Sequence, residues 1–187
     1  MTERPLRADA RRNYDRLLAA ARDAFAEHGT EATLDDIAKR AVLGPGTLYR
    51  HFPSREALLA AVYEGEMREL AARSDELAGR LPPRDALEAW LRLQLDYVKT
   101  KRGLGVAVKS MLGTDSTTLA VCRGLMRGAL DRLLSRAQEA GVVRTDVATT
   151  DLLRLVHAVA MASESDPENA DHLLTVIFDG LRPPPGA

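Results

Sequence analysis

Residues 33–52, TLDDIAKRAVLGPGTLYRHF, predict two short helices joined by a turn. Thr33 fits an N-cap, because its hydroxyl can accept a hydrogen bond from a free backbone N–H of the first turn. Two aspartates follow, where the helix dipole favours negative charge. Val42, Leu43 and Gly44 are expected to end the first helix, with Gly44 supplying the left-handed backbone that such a turn often needs. Helical spacing gives this helix one apolar face, formed by Leu34, Ile37, Ala38 and Ala41.

The second helix of this stretch is expected to begin at Pro45, because proline lacks an N–H group and fits the first turn of a helix. Leu48 and Phe52 lie four residues apart and form its apolar face. Gly46 allows the backbone to approach DNA closely, and Arg50 can pair with a guanine edge through two hydrogen bonds. The stretch therefore predicts a helix-turn-helix motif. Three further donors on its second helix suit phosphate oxygens: Thr47, Tyr49 and His51.

Ser54 and Arg55 follow the motif and are expected to begin the next helix, with Ser54 as its N-cap. Both side chains are expected to meet the DNA backbone. The competing interpretation of the whole stretch is an ordinary pair of core helices, in which Tyr49 and His51 are surface residues without a ligand.

Residues 17–63 resemble the tetracycline-repressor-like (TetR) family of transcriptional regulators. The matching positions are Phe25, Gly29, Ile37, Ala38, Ala41, Gly46, Thr47, Leu48, Tyr49, Phe52 and Leu58. The resemblance implies a three-helix DNA-binding domain, a divergent helical second domain and base contacts from Pro45, Gly46 and Thr47. Pro45 stands where relatives often have a polar or basic residue. The candidate DNA-contacting residues are Thr33, Pro45, Gly46, Thr47, Tyr49, Arg50, His51, Ser54 and Arg55.

Other basic residues near the N-terminus have two interpretations each. Lys39 and Arg40 could contact phosphate, or they could balance Asp35 and Asp36 on the surface. Four arginines of the first twelve residues either enter a narrow minor groove or belong to a solvated tail, and these alternatives stay open: Arg4, Arg7, Arg11 and Arg12.

The overall composition does not by itself indicate nucleic-acid binding, because the formal net charge of the 187 residues is -1. Any affinity for DNA must come from local placement of charge. A single cysteine, Cys122, excludes an intramolecular disulfide and suits a reducing compartment. Because no apolar run reaches about 18 residues and no signal peptide is evident, we expect a cytoplasmic protein without a membrane span.

Enzymatic chemistry is not indicated. The sequence contains no Ser-His-Asp arrangement, no glycine-rich phosphate loop and no metal-ligand spacing. Its four histidines lie far apart in the chain. We therefore expect neither a cofactor nor a metal site.

Helical periodicity without strand-like alternation predicts an all-α chain of about nine helices. Apolar residues become sparse beyond Tyr63, which places the boundary between two domains there. The proline-rich C-terminus cannot extend a helix. The predicted segments are a flexible arm, 1–10, a DNA-binding domain, 11–63, a helical effector-binding and dimerisation domain, 64–182, and a disordered tail, 183–187.

Large or polarisable side chains on separate helices of the second domain have two interpretations. They could line a pocket for a small, largely apolar effector, in which methionine supplies an adaptable surface. Residue by residue, a plain helical core is the simpler interpretation, and His157 in particular is expected to be a core or interface histidine. The pocket candidates are Trp90, Tyr97, Met111, Cys122, Met126, His157 and Met161.

The last two predicted helices, with the runs LLRLVHAVAMA and LLTVIF, have little polar face and must be covered on two sides. A second copy of the chain is the simplest cover, and the TetR resemblance implies a four-helix bundle at this position. The interface candidates are Leu152, Leu155, Val159, Leu174, Ile177 and Phe178.

These features favour a homodimeric repressor that binds a palindromic operator in double-stranded DNA and is released by a small-molecule effector. Repression rather than activation is implied only by the resemblance. The alternative is a DNA-binding regulator without a small-molecule effector, controlled by a partner protein.

Overall fold

Nine α-helices and no β-strand occur in residues 3–164, 166 and 168–184, the part of the chain that this computed structural model describes. The side chains of residues 3–7, Thr30 and Arg102 lie outside that description. The all-α prediction is confirmed. The helices are α1 Glu3–His28, α2 Leu34–Arg40, α3 Pro45–His51, α4 Arg55–Arg80, α5 Pro83–Thr100, α6 Arg102–Leu112, α7 Thr117–Glu139, α8 Thr149–Ala162 and α9 Asn169–Gly180.

Helix α1 begins at Glu3, so residues 3–10 are helical where the sequence predicts a flexible arm. One side-chain pair links the end of this extension to the next turn of α1, and a second pair follows it. Arg12 donates to the Asp9 carboxylate, and Arg11 donates to Asp15 at 3.3 Å. Met1 and Thr2 lie outside the described residues.

The chain forms two compact units that alternate along the sequence. The first unit contains the residues up to Glu66 together with Gly103–Leu119, and the second contains Met67–Arg102 and the described residues from Ala120 onward. The sequence predicts one boundary after residue 63, which assigns residues 103–119 to the second domain. Segment 103–119 packs differently because the buried side chains of α6 join the core of the first unit.

The core of the first unit is built from short apolar stripes on α1, α2, α3, α4 and α6. Helices α2 and α3 have only seven residues each, so their packing decides whether they form. The larger side chains that are buried in this core are Leu17, Phe25, Ile37, Leu48, Phe52, Leu58, Leu59, Val62, Leu104 and Val108.

The turn between α2 and α3 has its left-handed residue at Val42, with φ 54°, and not at Gly44 as the sequence analysis expected. Gly44 is extended, with φ -74° and ψ 150°. Two hydrogen bonds define the helix end: the N–H of Leu43 donates to Ala38 at 2.9 Å, and that of Val42 donates to Lys39 at 2.9 Å. This pairing is a Schellman motif, which requires a positive φ at the position that Val42 occupies.

Val42 is 76% exposed, so its side chain gains little from packing. Its positive φ is strained, because a β-branched residue rarely adopts the left-handed region. We expect Val42→Gly to stabilise the protein by about 1 kcal/mol, because relief of the strain exceeds the extra chain entropy of glycine. Val106, 61% exposed on α6, provides the control: Val106→Gly should lower stability by roughly half a kcal/mol. Chemical denaturation of both variants measures the difference, and a loss of stability in Val42→Gly would contradict the strain.

In the second unit, α5 packs against α8 and α9, and α8 packs against α9. Trp90 of α5 is fully buried, and its indole N–H donates to the carbonyl of Leu70 at 3.0 Å. Arg84 donates to the carbonyl of Phe178 at 2.8 Å, and the guanidinium of Arg92 lies 4.7 Å from the centre of the Phe178 ring. These contacts fix the C-terminal part of α9 on α5.

The C-terminal part of the chain adds two observations. No helix in the described residues has the length and hydropathy needed to cross a bilayer. Pro183 and Pro184 follow α9 without regular structure, and residues 185–187 of the predicted tail lie outside the described residues, as do Ser165 and Pro167.

Candidate nucleic-acid interface

Helix α2 begins with the N-cap that the sequence predicts. The hydroxyl oxygen of Thr33 accepts from the backbone N–H of Asp36 at 3.1 Å, and the same hydroxyl donates to the Asp36 carboxylate at 2.6 Å. The Thr33 side chain therefore stabilises the start of α2, and a contact with DNA would be additional to this role.

Helix α3 is anchored by two residues and exposes the opposite face. Leu48 has no exposed surface and Phe52 is 3% exposed, whereas Tyr49 is 50% exposed. Thr47 is half-buried at the edge of the anchor. The spacing of one turn brings the exposed residues of α3 together on one face. They are Pro45, Gly46, Tyr49 and Arg50.

Gly46 lies in the exposed face of α3 with open space around it. A Cβ atom added there would meet no protein atom within 4 Å. The protein itself therefore has no steric need for glycine at this position.

His51 is less exposed than the sequence analysis expected, because Tyr14 of α1 packs beside it. The Tyr14 ring lies edge-on to His51, with 6.0 Å between centroids, and 5.1 Å from the Phe52 ring. Tyr14 thus helps to orient the C-terminal end of α3. It was missed by sequence reasoning, since a tyrosine in an amphipathic helix gives no sign of the element that it contacts.

Most cations of the first unit are engaged within the protein. Arg11 and Arg12 pair with acids of α1, and the side chains of Arg4 and Arg7 lie outside the described residues. Among the arginines between residues 8 and 66, whose side chains are all described, only Arg50 has no hydrogen-bond or ion-pair partner within the described part of the chain. The remaining arginines of that range, Arg16, Arg22, Arg40 and Arg55, all bond or pair with other residues.

Arg40 pairs with Glu27 of α1 and not with the aspartates of α2. Its two terminal nitrogens donate to the two carboxylate oxygens at 2.9 and 2.6 Å. This hydrogen bonding lowers the pKa of Glu27 and raises the pKa of Arg40. Lys39 lies 3.8 Å from the Asp36 carboxylate. Lys39 therefore has the partner that the second interpretation expected, whereas Arg40 has a different surface partner, Glu27 of α1.

Ser54 and Arg55 have defined roles at the start of α4. The hydroxyl oxygen of Ser54 accepts from the N–H of Ala57 at 3.2 Å, as an N-cap does. Arg55 donates to the carbonyl of Ala32 and lies over the ring of Phe25, 5.6 Å from its centre. The Arg55 side chain therefore points toward the protein and not only toward solvent.

The effector-pocket candidates lie in both units and differ in their exposure. Met111 belongs to the first unit, where it packs against the core, and not to the second domain as expected. His157 and Met161 are exposed on α8, so His157 is not a core histidine. Trp90, Cys122 and Met126 are buried in the second unit, and Tyr97 is half-buried.

Two buried polar groups of the second unit were missed. The amide oxygen of Gln94 on α5 and the hydroxyl of Ser163 after α8 have no hydrogen-bond partner in the described structure. Gln94 is 9% exposed and Ser163 is 3% exposed. Gln94 lies one turn from Trp90 and from Tyr97, so it extends the row of pocket candidates on α5.

Four of the six interface candidates face the interior of their own unit: Leu152, Val159, Leu174 and Phe178. They lie on the faces of α8 and α9 that form the core, because residues three or four apart share a helix face. Leu155 is 42% exposed and Ile177 is half-buried. Exposed apolar residues that were not proposed include Met161 and Val176.

An all-α fold with a helix-turn-helix and an exposed arginine on its second helix defines a DNA-binding regulator. Residues 17–62 match the model of "Bacterial regulatory proteins, tetR family". Residues 82–183 match the model of "Transcriptional regulator SbtR-like, C-terminal domain". The chain therefore belongs to the TetR family of bacterial transcriptional regulators, which bind DNA and are not enzymes.

Individual relatives agree with this family. The TetR regulator SCO0520 from Streptomyces coelicolor is 38% identical, with 91% of this chain and 98% of that chain covered and a TM-score of 0.76. A TetR regulator from Mycobacterium vanbaalenii is 35% identical, with 95% and 99% covered and a TM-score of 0.77. The regulator UidR of Escherichia coli is 38% identical over 72 residues, which span 38% of this chain and 37% of UidR.

The open space at Gly46 gives a test that separates folding from binding. We expect Gly46→Ala to keep or raise stability, by up to about 1 kcal/mol, because alanine is the better helix former. The same change should weaken DNA binding at least tenfold, because the methyl group keeps α3 away from the duplex.

Gly124 is the matched control, since it is an exposed helical glycine of α7 with no protein atom near an added Cβ. Gly124→Ala should raise stability without changing DNA affinity. Thermal unfolding and fluorescence anisotropy with labelled DNA measure the two effects. Unchanged DNA affinity in Gly46→Ala would show that α3 does not approach DNA through this face.

Proposed function

We propose that this TetR-family protein is a homodimeric repressor that binds a palindromic operator and is released by a small, largely apolar effector. Its DNA-contacting surface is the exposed face of α3, flanked by Thr33, Thr47, His51 and Ser54. The observation that carries this proposal is Arg50, whose guanidinium is exposed and has no partner among the described residues. Such an arginine is free to pair with a guanine edge, which contributes about 1–3 kcal/mol of discrimination.

The other residues of this face have complementary roles. Gly46 permits close approach, Pro45 starts α3 without a polar side chain, and the Tyr49 hydroxyl donates to phosphate. Phosphate contacts position the helix, whereas the arginine recognises sequence. The net charge of -1 agrees with this division, because specific recognition then depends on a few well-placed groups.

Support for dimerisation comes from apolar residues that remain exposed on α8 and α9. Leu155 and Met161 of α8 are 42% and 38% exposed, and Val176 of α9 is 55% exposed. Helices α8 and α9 pack against each other, and we propose that exposed apolar residues of both helices bind a second copy. A two-fold dimer would present two α3 helices to successive major grooves.

We expect the double change Leu155→Glu and Val176→Glu to produce monomers. Both side chains are about half exposed in one copy, so the fold should be retained while the apolar contact is lost. Val121→Glu is the control, since Val121 is 38% exposed on α7 and outside the proposed surface. Light scattering measures the mass of each variant. A double variant with the mass of the wild-type dimer would place the interface elsewhere.

Support for an effector comes from the interior of the second unit. Unpartnered buried polar groups cost about 1–3 kcal/mol each, so the amide oxygen of Gln94 and the hydroxyl of Ser163 favour a partner from outside the chain. Trp90, Tyr97, Cys122 and Met126 supply apolar or polarisable surface in the same unit. A small, mainly apolar molecule with a hydrogen-bonding group matches these side chains.

The experiment that tests DNA recognition is selection of duplexes from a random pool with the purified protein, followed by sequencing. We expect a two-fold symmetric motif whose half-sites lie about one helical turn apart, roughly 10 base pairs. Arg50→Lys should relax the preference for guanine within each half-site. Failure to enrich any sequence, with binding that disappears as salt rises, would reduce the interaction to phosphate attraction.

The enriched duplex then serves as the probe for an effector. We expect a small molecule that raises the melting temperature of the protein and weakens duplex binding by roughly 5–150-fold, the usual range of allosteric coupling. A molecule that binds the second unit without changing duplex affinity would argue against release by that molecule. Relief of duplex binding only by a protein would favour control by a partner.

A further inference from the structure

Helix α2 is held at both ends by arginines from other helices. At its C-terminal end, one terminal nitrogen of Arg16 in α1 lies 2.5 Å from the carbonyl oxygen of Ala41 and 3.2 Å from that of Val42. At its N-terminal side, Arg55 of α4 donates to the carbonyl of Ala32, two residues before α2 begins. Helices α1 and α4 are thereby joined to the two ends of one short helix.

The Arg16 contact meets a definite need of the backbone. The last carbonyls of a helix have no partner within the helix and carry the negative end of its dipole, so a cation there satisfies and stabilises them. The carbonyl of Val42 belongs to the strained left-handed residue of the turn. Arg16 therefore bonds to the backbone at the point where the chain turns from α2 into α3.

The Arg55 contact has a similar character. Ala32 is 3% exposed, and the Arg55 guanidinium lies over the ring of Phe25, which is 6% exposed. A planar guanidinium can donate to a carbonyl and stack on an aromatic ring at the same time, which an ammonium group cannot do equally well. Arg55 thus connects the start of α4 to the residues that precede the Thr33 cap.

From these contacts we infer that Arg16 and Arg55 are positioning residues, which set the orientation of α2 and, through the turn, of α3. They are not the phosphate contacts that their charge and their place beside the motif would indicate. The DNA-binding test of this inference rests on the proposed function, whereas the hydrogen-exchange test does not. It removes Arg55 from the candidate DNA-contacting residues and leaves Arg50 as the arginine that meets DNA directly.

The first experiment follows amide hydrogen exchange in the full-length protein by mass spectrometry. Arg16→Met and Arg55→Met remove the charge but keep a long side chain. We expect amides of residues 33–44 to exchange at least tenfold faster in both variants. Exchange in α8 and α9 should be unchanged, which shows that the second unit is folded. Arg50→Met is the matched control, and it should leave exchange in residues 33–44 at the wild-type rate.

The second experiment measures the salt dependence of binding to the enriched duplex and to a scrambled duplex of equal length. A lost phosphate contact lowers the slope of log affinity against log salt by about 0.9. We expect Arg16→Met and Arg55→Met to keep the wild-type slope. Their affinity for the enriched duplex should fall at least tenfold, whereas their affinity for the scrambled duplex should fall less than twofold. A change that only reduced the folded fraction would weaken both duplexes equally.

Arg55→Lys distinguishes the two roles directly, because lysine can still neutralise a phosphate. The inference is wrong, and Arg55 contacts phosphate, if three results occur together. Arg55→Lys would bind like the wild type, the salt slope of Arg55→Met would fall by about 0.9, and exchange in residues 33–44 would be unchanged.

If the wild type enriches no duplex, the proposed operator recognition fails, but hydrogen exchange still decides whether the arginines hold α2. Wild-type exchange rates in both methionine variants would overturn the inference.

Discussion

The helix-turn-helix depends on the burial of a few apolar side chains, because neither of its helices is long enough to be stable alone. Helices α2 and α3 have seven residues each, well below the length at which an isolated helix persists in water. Ile37 and Leu48 have no exposed surface, and Phe52 is 3% exposed. Truncation of a side chain of this kind typically costs 2–5 kcal/mol. The proposed DNA-contacting face is therefore only as well positioned as the core beneath it.

The arginines of the first unit show how a DNA-binding surface can exist in a chain of net charge -1. Arg40 pairs with Glu27, and Arg16 and Arg55 bond to backbone carbonyls. These cations connect helices. Their carboxylate and carbonyl partners occupy the N–H groups that would otherwise be available to phosphate. Arg50 lies on the exposed face of α3, away from those carbonyls and carboxylates. The number of basic residues near the motif is accordingly a poor measure of the number of DNA contacts.

The second unit illustrates the same separation between residue type and location. The sequence showed that α8 and α9 are apolar over much of their circumference, yet it did not show which face is covered within one chain. Leu152 and Leu174 have no exposed surface, whereas Leu155 and Val176 are 42% and 55% exposed. In these two pairs a shift of three or two positions separates a buried residue from an exposed one, because each residue turns the side-chain direction by about 100° around the helix. The proposed interface therefore uses the two helices that the sequence predicts, but most of the residues predicted for it are buried within one chain.

The sequence by itself determined the all-α class, the helix-turn-helix with its Thr33 and Ser54 caps, and the buried pair Leu48 and Phe52. These features depend on local periodicity and on hydrogen bonds between residues close in the chain. Only the tertiary structure decided the packing of α6 with the first unit, the left-handed backbone at Val42 and the inward contacts of Arg16 and Arg55. Each of these depends on groups far apart in sequence or on a backbone angle that residue type alone does not fix. A cation, an apolar side chain or a turn can be recognised from the sequence, but the atom that it contacts is chosen by the fold.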